Sequence, residues 1–226
     1  MSIHLTLFLI FIFLVFILSY RKETKKKIVF FGDSITEQGV LIGGYIEIIN
    51  RLIESEDAVS KYHTIGKGIS GDKVYDLYLR IESDVLIKSP NITVVFIGIN
   101  DVWCKTTNGT GVDIFKFEQF YRAIIVKLLA SNSKIILCTP TVIGELKNNI
   151  NLLDNDLNDY SEIIKKLGEE YNLYLSDLRT TFTNYINNFN YENVHQGILT
   201  NDGVHLNNDG NKLVANSLWA LIKTIK

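Results

Sequence analysis

Residues 28–31, 94–97 and 135–137 are short apolar runs rich in β-branched side chains, and none of them alternates with polar residues. A strand that is apolar at every position must be covered on both faces, as in a parallel sheet packed between helices. Weaker runs of the same kind stand at 62–65 and 173–175. Between them, residues 45–53, 74–87, 115–129 and 157–167 carry apolar side chains at helical spacing. In the last of these, Leu157, Tyr160, Ile163, Ile164 and Leu167 share one face, while Asp159, Glu162, Lys165 and Lys166 point away. A final helix is expected after the cap-rich Asn207-Asn208-Asp209, burying Leu213, Val214, Leu218, Leu221 and Ile222. This alternation predicts an α/β chain with right-handed crossovers, in which the loops after the strands gather at one edge of a parallel sheet.

The first run stops at Gly32-Asp33-Ser34. A buried strand that gives way there to a helix leaves the Ser34 hydroxyl at the carboxyl end of the sheet, beside unpaired helix N–H groups. Ser and Asp also cap helices with no chemistry intended, so the stretch gains meaning only from its companions. These are Gly66-Lys67-Gly68-Ile69-Ser70-Gly71 after the second strand, Gly98-Ile99-Asn100-Asp101 after the third, and Asp202-Gly203-Val204-His205 near the C-terminus. A serine needs a base within hydrogen-bond reach to act as a nucleophile. His205 is the candidate base, and Asp202, three residues earlier, can orient its imidazole.

In order and spacing these four stretches resemble the sequence blocks of the SGNH/GDSL hydrolase family, from about Lys27 to the end of the chain. The resemblance implies a three-layer α/β/α sandwich with a parallel, flavodoxin-like sheet of about five strands. It also implies a serine hydrolase that cleaves carboxylic esters through an acyl-enzyme. Mapped onto this sequence, the catalytic residues are Ser34, Asp202 and His205, and the oxyanion hole is formed by Ser34, Gly68 and Asn100. Glycine at 68 is expected to let backbone approach a substrate with no Cβ in the way. One position departs from the family pattern: two residues before Gly68, where Asn is common, the chain has Gly66, which removes a supporting hydrogen bond. The ester could be a lipid, a short-chain ester or an acetylated sugar. Transfer of the acyl group to an alcohol other than water uses the same residues.

Two readings from other classes compete. A non-catalytic member that binds a glycan or lipid predicts a missing residue of the triad, and none is missing. Residues 66–71 also satisfy G-x-G-x-x-G, the fingerprint of a dinucleotide-binding oxidoreductase. That fingerprint belongs on a first βαβ unit, with an acid at the end of the next strand; Glu82 and Asp84 stand at the right distance but inside an expected helix. Asp33, Asp101 and Glu145 are further acids at the same edge, with Asp33 and Asp101 expected to tie loops and caps. Val102, Trp103, Val142 and Ile143 are either pocket walls or core.

The 226 residues are 46% hydrophobic and 21% charged, enough for one well-buried domain. The expected division is an N-terminal hydrophobic membrane anchor at 1–20, a basic linker at 21–27 and the esterase domain at 28–226. Residues 3–20 are almost wholly apolar, with neither a basic stretch before them nor a small-x-small site after them, which favours an uncleaved anchor over a signal peptide. If the segment is cleaved, the protein is secreted. Flanking basic residues at 21–27 hide an acidic domain of about −6, which argues against nucleic acid as a partner. Cys104 and Cys138 are too few for a disulfide framework, although one bridge between them is open. The histidines show no metal-ligand spacing, so no metal and no cofactor are expected.

Overall fold

In the computed structural model, which describes residues 24–225, the elements run β1 (Lys26–Gly32), α1 (Ser34–Gln38), α2 (Tyr45–Ser55), β2 (Tyr62–Gly68), α3 (Val74–Asp84), β3 (Ile92–Phe96), α4 (Ile99–Thr107), α5 (Ile114–Ala130), β4 (Lys134–Cys138), α6 (Asp154–Glu170), β5 (Tyr174–Ser176), α7 (Leu178–Phe189) and α8 (Asn208–Ile222). The sheet order is β2-β1-β3-β4-β5, with every pairing parallel, as the flavodoxin-like expectation requires. Helices α2 and α8 pack together on one face, and α3, α5 and α6 pack on the other.

Burial explains which strands were easy to find. Ile28, Val29, Phe30 and Phe31 of β1 are wholly enclosed, as are Val94 and Val95 of β3 and Ile136 and Leu137 of β4. β2 and β5 are the two edges, covered on fewer sides, and most of their residues are only half-buried. A less apolar sequence suffices there. In α6 the expected face is the inner one: Leu157, Tyr160, Ile164 and Leu167 are buried, and Ile163 packs against them half-buried.

Several boundaries differ from expectation, each for a local reason. The helix expected over 74–87 ends at Asp84, because Val85 leaves helical geometry, and a short 3-10 turn at Leu86–Lys88 follows. α7 was not foreseen, since its sequence is rich in Thr and Asn, which are poor interior helix formers. It is nucleated by the Asp177 carboxylate, which accepts from Thr180 N at 3.1 Å, and it buries Leu178, Phe182 and Ile186. In α8 Ala215 and Trp219 are buried in addition to Val214, Leu218 and Ile222, and Leu213 and Leu221 are only half-buried. Lys26 and Lys27, assigned by sequence to a linker, begin β1. Lys26 Nζ donates to Ile225 O at 2.9 Å, and Lys27 N donates to Asn91 Oδ1 at 2.8 Å.

Residues 3–20, the expected membrane anchor, lie outside the described residues. Among the described residues no helix is long and apolar enough to cross a membrane. Both cysteines are free and buried, so the open question of a bridge closes in favour of two thiols: Cys138 ends β4, and Cys104 lies inside α4.

Candidate active site

The strand order reverses direction at β1 and β3, and the crevice at such a switch point is where open α/β sheets place ligands. Ser34 follows β1 there and is the first residue of α1, whose cap is Asp33: the carboxylate accepts from Ile35 N at 3.0 Å. At that position the Ser34 amide lies outside the helical hydrogen-bond ladder. Asn100 follows β3. Each of the two residues stands in the first turn of a helix, which fixes its backbone.

From the far end of the chain, Asp202 and His205 reach the same crevice. Ser34 Oγ lies 3.0 Å from His205 Nε2, and His205 Nδ1 lies 2.7 Å from Asp202 Oδ2. The carboxylate assigns the proton to Nδ1 and leaves Nε2 free to accept from the serine hydroxyl. Asp202 Oδ1 also accepts from Val204 N and His205 N, at 3.0 and 2.8 Å. Burial pushes the Asp202 carboxyl up, but the hydrogen bonds from the His205 side chain and from these two amides outweigh it and hold the group below the ordinary carboxylate value. It is therefore an anion at neutral pH, as a partner for an imidazolium must be.

The loop that carries this pair is closed on itself. An antiparallel bridge joins Thr200 to Leu206, Asn201 N donates to His205 O at 2.8 Å, and Gly203 N donates to Thr200 Oγ1 at 3.0 Å. Behind it stands Glu145, wholly buried, whose carboxylate accepts from Ile198 N, Leu199 N and Thr200 N, each at 2.7 Å, and from Thr200 Oγ1 at 2.9 Å. Gly144 N donates to Gly203 O at 2.8 Å beside it. Sequence reasoning noticed Glu145 and gave it no partner, because its partners are backbone groups more than 50 residues away.

Gly68 ends β2 opposite Gly32 of β1. What crowds it is the chain's own backbone: a Cβ here would stand 2.0 Å from Glu37 N and 2.5 Å from the Thr36 carbonyl carbon. The expectation that this glycine spares room for a substrate is thus corrected. It spares room for α1, letting the edge strand lie against the helix that carries Ser34. At Gly66 the missing side chain is filled in another way, since Val40 Cγ1 occupies the space 2.3 Å from where a Cβ would sit. Packing by Val40 stands where the family commonly has a polar side chain.

Asn100 is buried and its amide nitrogen donates to Asp72 O at 3.0 Å. An amide nitrogen carries two hydrogens. One bond therefore ties the β3 and β2 loops together and leaves a second hydrogen to donate, so this tie is compatible with the oxyanion role expected for the residue.

Asp33 and Asp101 are tethers, as expected. Asp101 Oδ1 accepts from Val74 N, at the start of α3, at 3.1 Å, and its Oδ2 is buried with no partner. Burial pushes both carboxyls up to about 7; for Asp33 the Ile35 amide and His205 oppose it, and for Asp101 the Val74 amide opposes it while the nearby Asp33 adds to it. Val102 and Val142 are core. Trp103 and Ile143 are half-buried, and the Trp103 ring meets His205 edge-on with ring centroids 6.3 Å apart.

The G-x-G-x-x-G stretch lies at an edge strand in the second βα unit, with Glu82 and Asp84 in or at the end of α3. Neither acid can sit at the end of a following strand, as the dinucleotide reading requires.

A model of the GDSL-like lipase/acylhydrolase family matches residues 30–213. An acetylxylan esterase of Geobacillus stearothermophilus is 27% identical over 205 residues, which cover 84% of this chain and 90% of that protein. Among solved structures, the acetyl xylan esterase AlAXEase is 50% identical with a TM-score of 0.85, over 86% of this chain and 98% of that one. The acetylxylan esterase Axe2 of G. stearothermophilus is 25% identical with a TM-score of 0.77, over 89% and 96%.

Proposed function

The chain belongs to the GDSL-like lipase/acylhydrolase family and is an ester hydrolase, and from that premise we propose that it removes acetyl groups from sugar hydroxyls, with Ser34, His205 and Asp202 as its triad. The observation that carries the chemistry is the unbroken line from Ser34 Oγ to His205 Nε2 and from His205 Nδ1 to Asp202 Oδ2, at 3.0 and 2.7 Å. The substrate reading is supported by the 50% identity to an acetyl xylan esterase over 86% of the chain.

Ser34 Oγ attacks the acetyl carbonyl carbon while His205 Nε2 takes its proton, and Asp202 stabilises the imidazolium. The negative charge that develops on the carbonyl oxygen is met by the amide of Ser34 and by the second hydrogen of the Asn100 side-chain amide; the Gly68 amide, expected as a third donor, points away from β1, because its neighbour Ile69 N donates to Gly32 O at 3.2 Å. His205 then gives its proton to the departing sugar oxygen as the C–O bond breaks, leaving acetyl-Ser34. Water, deprotonated by His205, attacks that ester, and acetate and free Ser34 result.

The deciding assay is acetate release from an acetylated xylo-oligosaccharide, run beside p-nitrophenyl esters of increasing chain length and a lysophospholipid. Expected is turnover of the acetylated sugar and of the acetate ester, falling as the acyl chain grows, with no turnover in Ser34→Ala. Faster hydrolysis of the lysophospholipid would replace the sugar reading with a lipid one.

Residues 3–20 fit a membrane anchor on their sequence alone. Partition of the full chain with membranes, against a soluble chain starting at Arg21, tests this; a mature N-terminus near residue 20 would identify a signal peptide instead.

A further inference from the structure

At the edge of the sheet opposite Ser34 the strands begin and the long helices end, and Lys25, Lys26, Lys27, Lys61, Lys88 and Lys134 stand around it. Lys26 Nζ donates to Ile225 O at 2.9 Å and Lys27 Nζ to Lys88 O at 3.0 Å, the ordinary answer of lysines to carbonyls where helices end. What the helix dipole does not call for is the apolar side chains among them. Ile87 is 76% exposed, Val59 46% and Leu129 41%, each on the connection or last turn that leads into a strand. Beside the start of β1 a cleft of about 340 Å³ is lined by Lys26, Ser89, Asn91, Ser131, Asn132 and Lys134, two ammonium groups among hydroxyls and amides. Exposed acids stand to either side, at the ends of α2 and α6, where Glu56 is taken up by Lys223 and Glu170 by Arg122.

We propose that this edge rests on the anionic headgroups of a bilayer, with the cleft taking a lipid phosphate and with Ile87, Val59 and Leu129 entering the headgroup layer. The place where the chain enters the fold carries this. β1 begins at Lys26, with five residues between it and the apolar stretch 3–20, and five residues span at most about 18 Å. An edge tethered so closely to a bilayer and set with lysines meets the negative surface that attracts basic segments. Apolar side chains among the lysines add buried area to that attraction. The same placement orients the enzyme. The seven residues of β1 rise about 20 Å from Lys26 to Gly32, so the Ser34 crevice stands at the far end of the domain. It faces the aqueous phase, open to a glycan there and turned away from the lipids of its own membrane.

The inference rests on the membrane-anchor reading of residues 3–20, and the test separates the two. The full chain is reconstituted with vesicles of phosphatidylcholine, with and without phosphatidylglycerol, recovered by flotation and read by amide hydrogen exchange. On the anionic vesicles exchange should slow by roughly tenfold at residues 86–91 and 131–134, with no slowing at 201–206 beside the crevice, and zwitterionic vesicles should leave both unchanged. Reversing two charges, Lys88→Glu with Lys134→Glu, should abolish the slowing while the protein still floats, and Ile87→Ser should reduce it. A full chain that does not float with either vesicle overturns the anchor reading and the inference with it. Flotation with the same exchange on both vesicle compositions, or with slowing at 201–206 instead, overturns the surface proposal and leaves the anchor standing. Slowing that needs no lipid and deepens with protein concentration also overturns it, and assigns the edge to a second copy of the chain.

Discussion

Glu145 and Thr200, 55 residues apart, meet through two hydrogen bonds to one carboxylate oxygen: Oε1 accepts from both the amide and the hydroxyl of Thr200, at 2.7 and 2.9 Å. Thr200 Oγ1 in turn accepts from Gly203 N, in the turn between Asp202 and His205. The loop that carries Asp202 and His205 is therefore seated on a buried carboxyl group.

Replacing Glu145 by Gln exchanges one acceptor oxygen for an NH2 group facing backbone N–H donors. Bonds to a charged group and the cost of leaving buried donors unpaired set the scale, so the variant is expected to lose roughly 2 to 4 kcal/mol of stability. Hydrogen exchange should quicken at the amides of residues 198–205 before it quickens in the sheet. Denaturant unfolding with amide exchange measures both, and unchanged protection of these amides would show that Glu145 does not hold the loop.

A fluorophosphonate is expected to label Ser34 and abolish hydrolysis, and Ser34→Ala to escape labelling. Asp202→Asn should keep the fold and lower kcat by about 10⁴, because the carboxylate that sets the His205 tautomer is gone. Peptide mapping of the adduct and steady-state kinetics provide the check. Labelling at another residue, with activity surviving in Ser34→Ala, would displace the triad.

If Asn100 is an oxyanion donor as proposed, Asn100→Ala should show two effects together, because one amide hydrogen ties Asp72 O and a second is left to donate. Loss of an oxyanion donor predicts a kcat lower by about 10² to 10³. Loss of the buried bond to Asp72 O predicts a cost of about 1 to 3 kcal/mol in stability. Kinetics and thermal unfolding on the same variant read the two separately.

Asp101 gives a pH dependence with a definite sign. Its carboxyl titrates at about 7 in the folded protein against an ordinary 3.8, so the folded state holds a proton that the unfolded chain has released. The stability that goes with that proton is fully present below about 4 and is lost as pH rises through about 7. Asp101→Asn cannot titrate, so its stability should gain on that of wild type as pH rises from 4 to 8 and match it most closely at the acid end. Unfolding curves at several pH values would show this, and a gap that is constant with pH would contradict it.

Much of the architecture was legible in the chain itself. The central strands β1, β3 and β4 declare themselves, since burial on both faces demands an apolar residue at every position, and the amphipathic helices follow from their spacing. The four short stretches that carry Ser34, Gly68, Asn100, Asp202 and His205 were also visible as breaks in the apolar pattern, and the fold brings Ser34, His205 and Asp202 of these together. Other features were set by contacts between residues far apart. Gly68 is required by the approach of α1 to the edge strand, Glu145 by amides of a loop that arrives more than 50 positions later, and Arg80 of α3, which donates to Gly32 O and Lys67 O, by carbonyls at the ends of two strands. A backbone carbonyl or amide is present at every residue and leaves no mark in the sequence. Groups that work by grasping the backbone, as Arg80 and Glu145 do, become visible only when the sheet has brought its strand ends together.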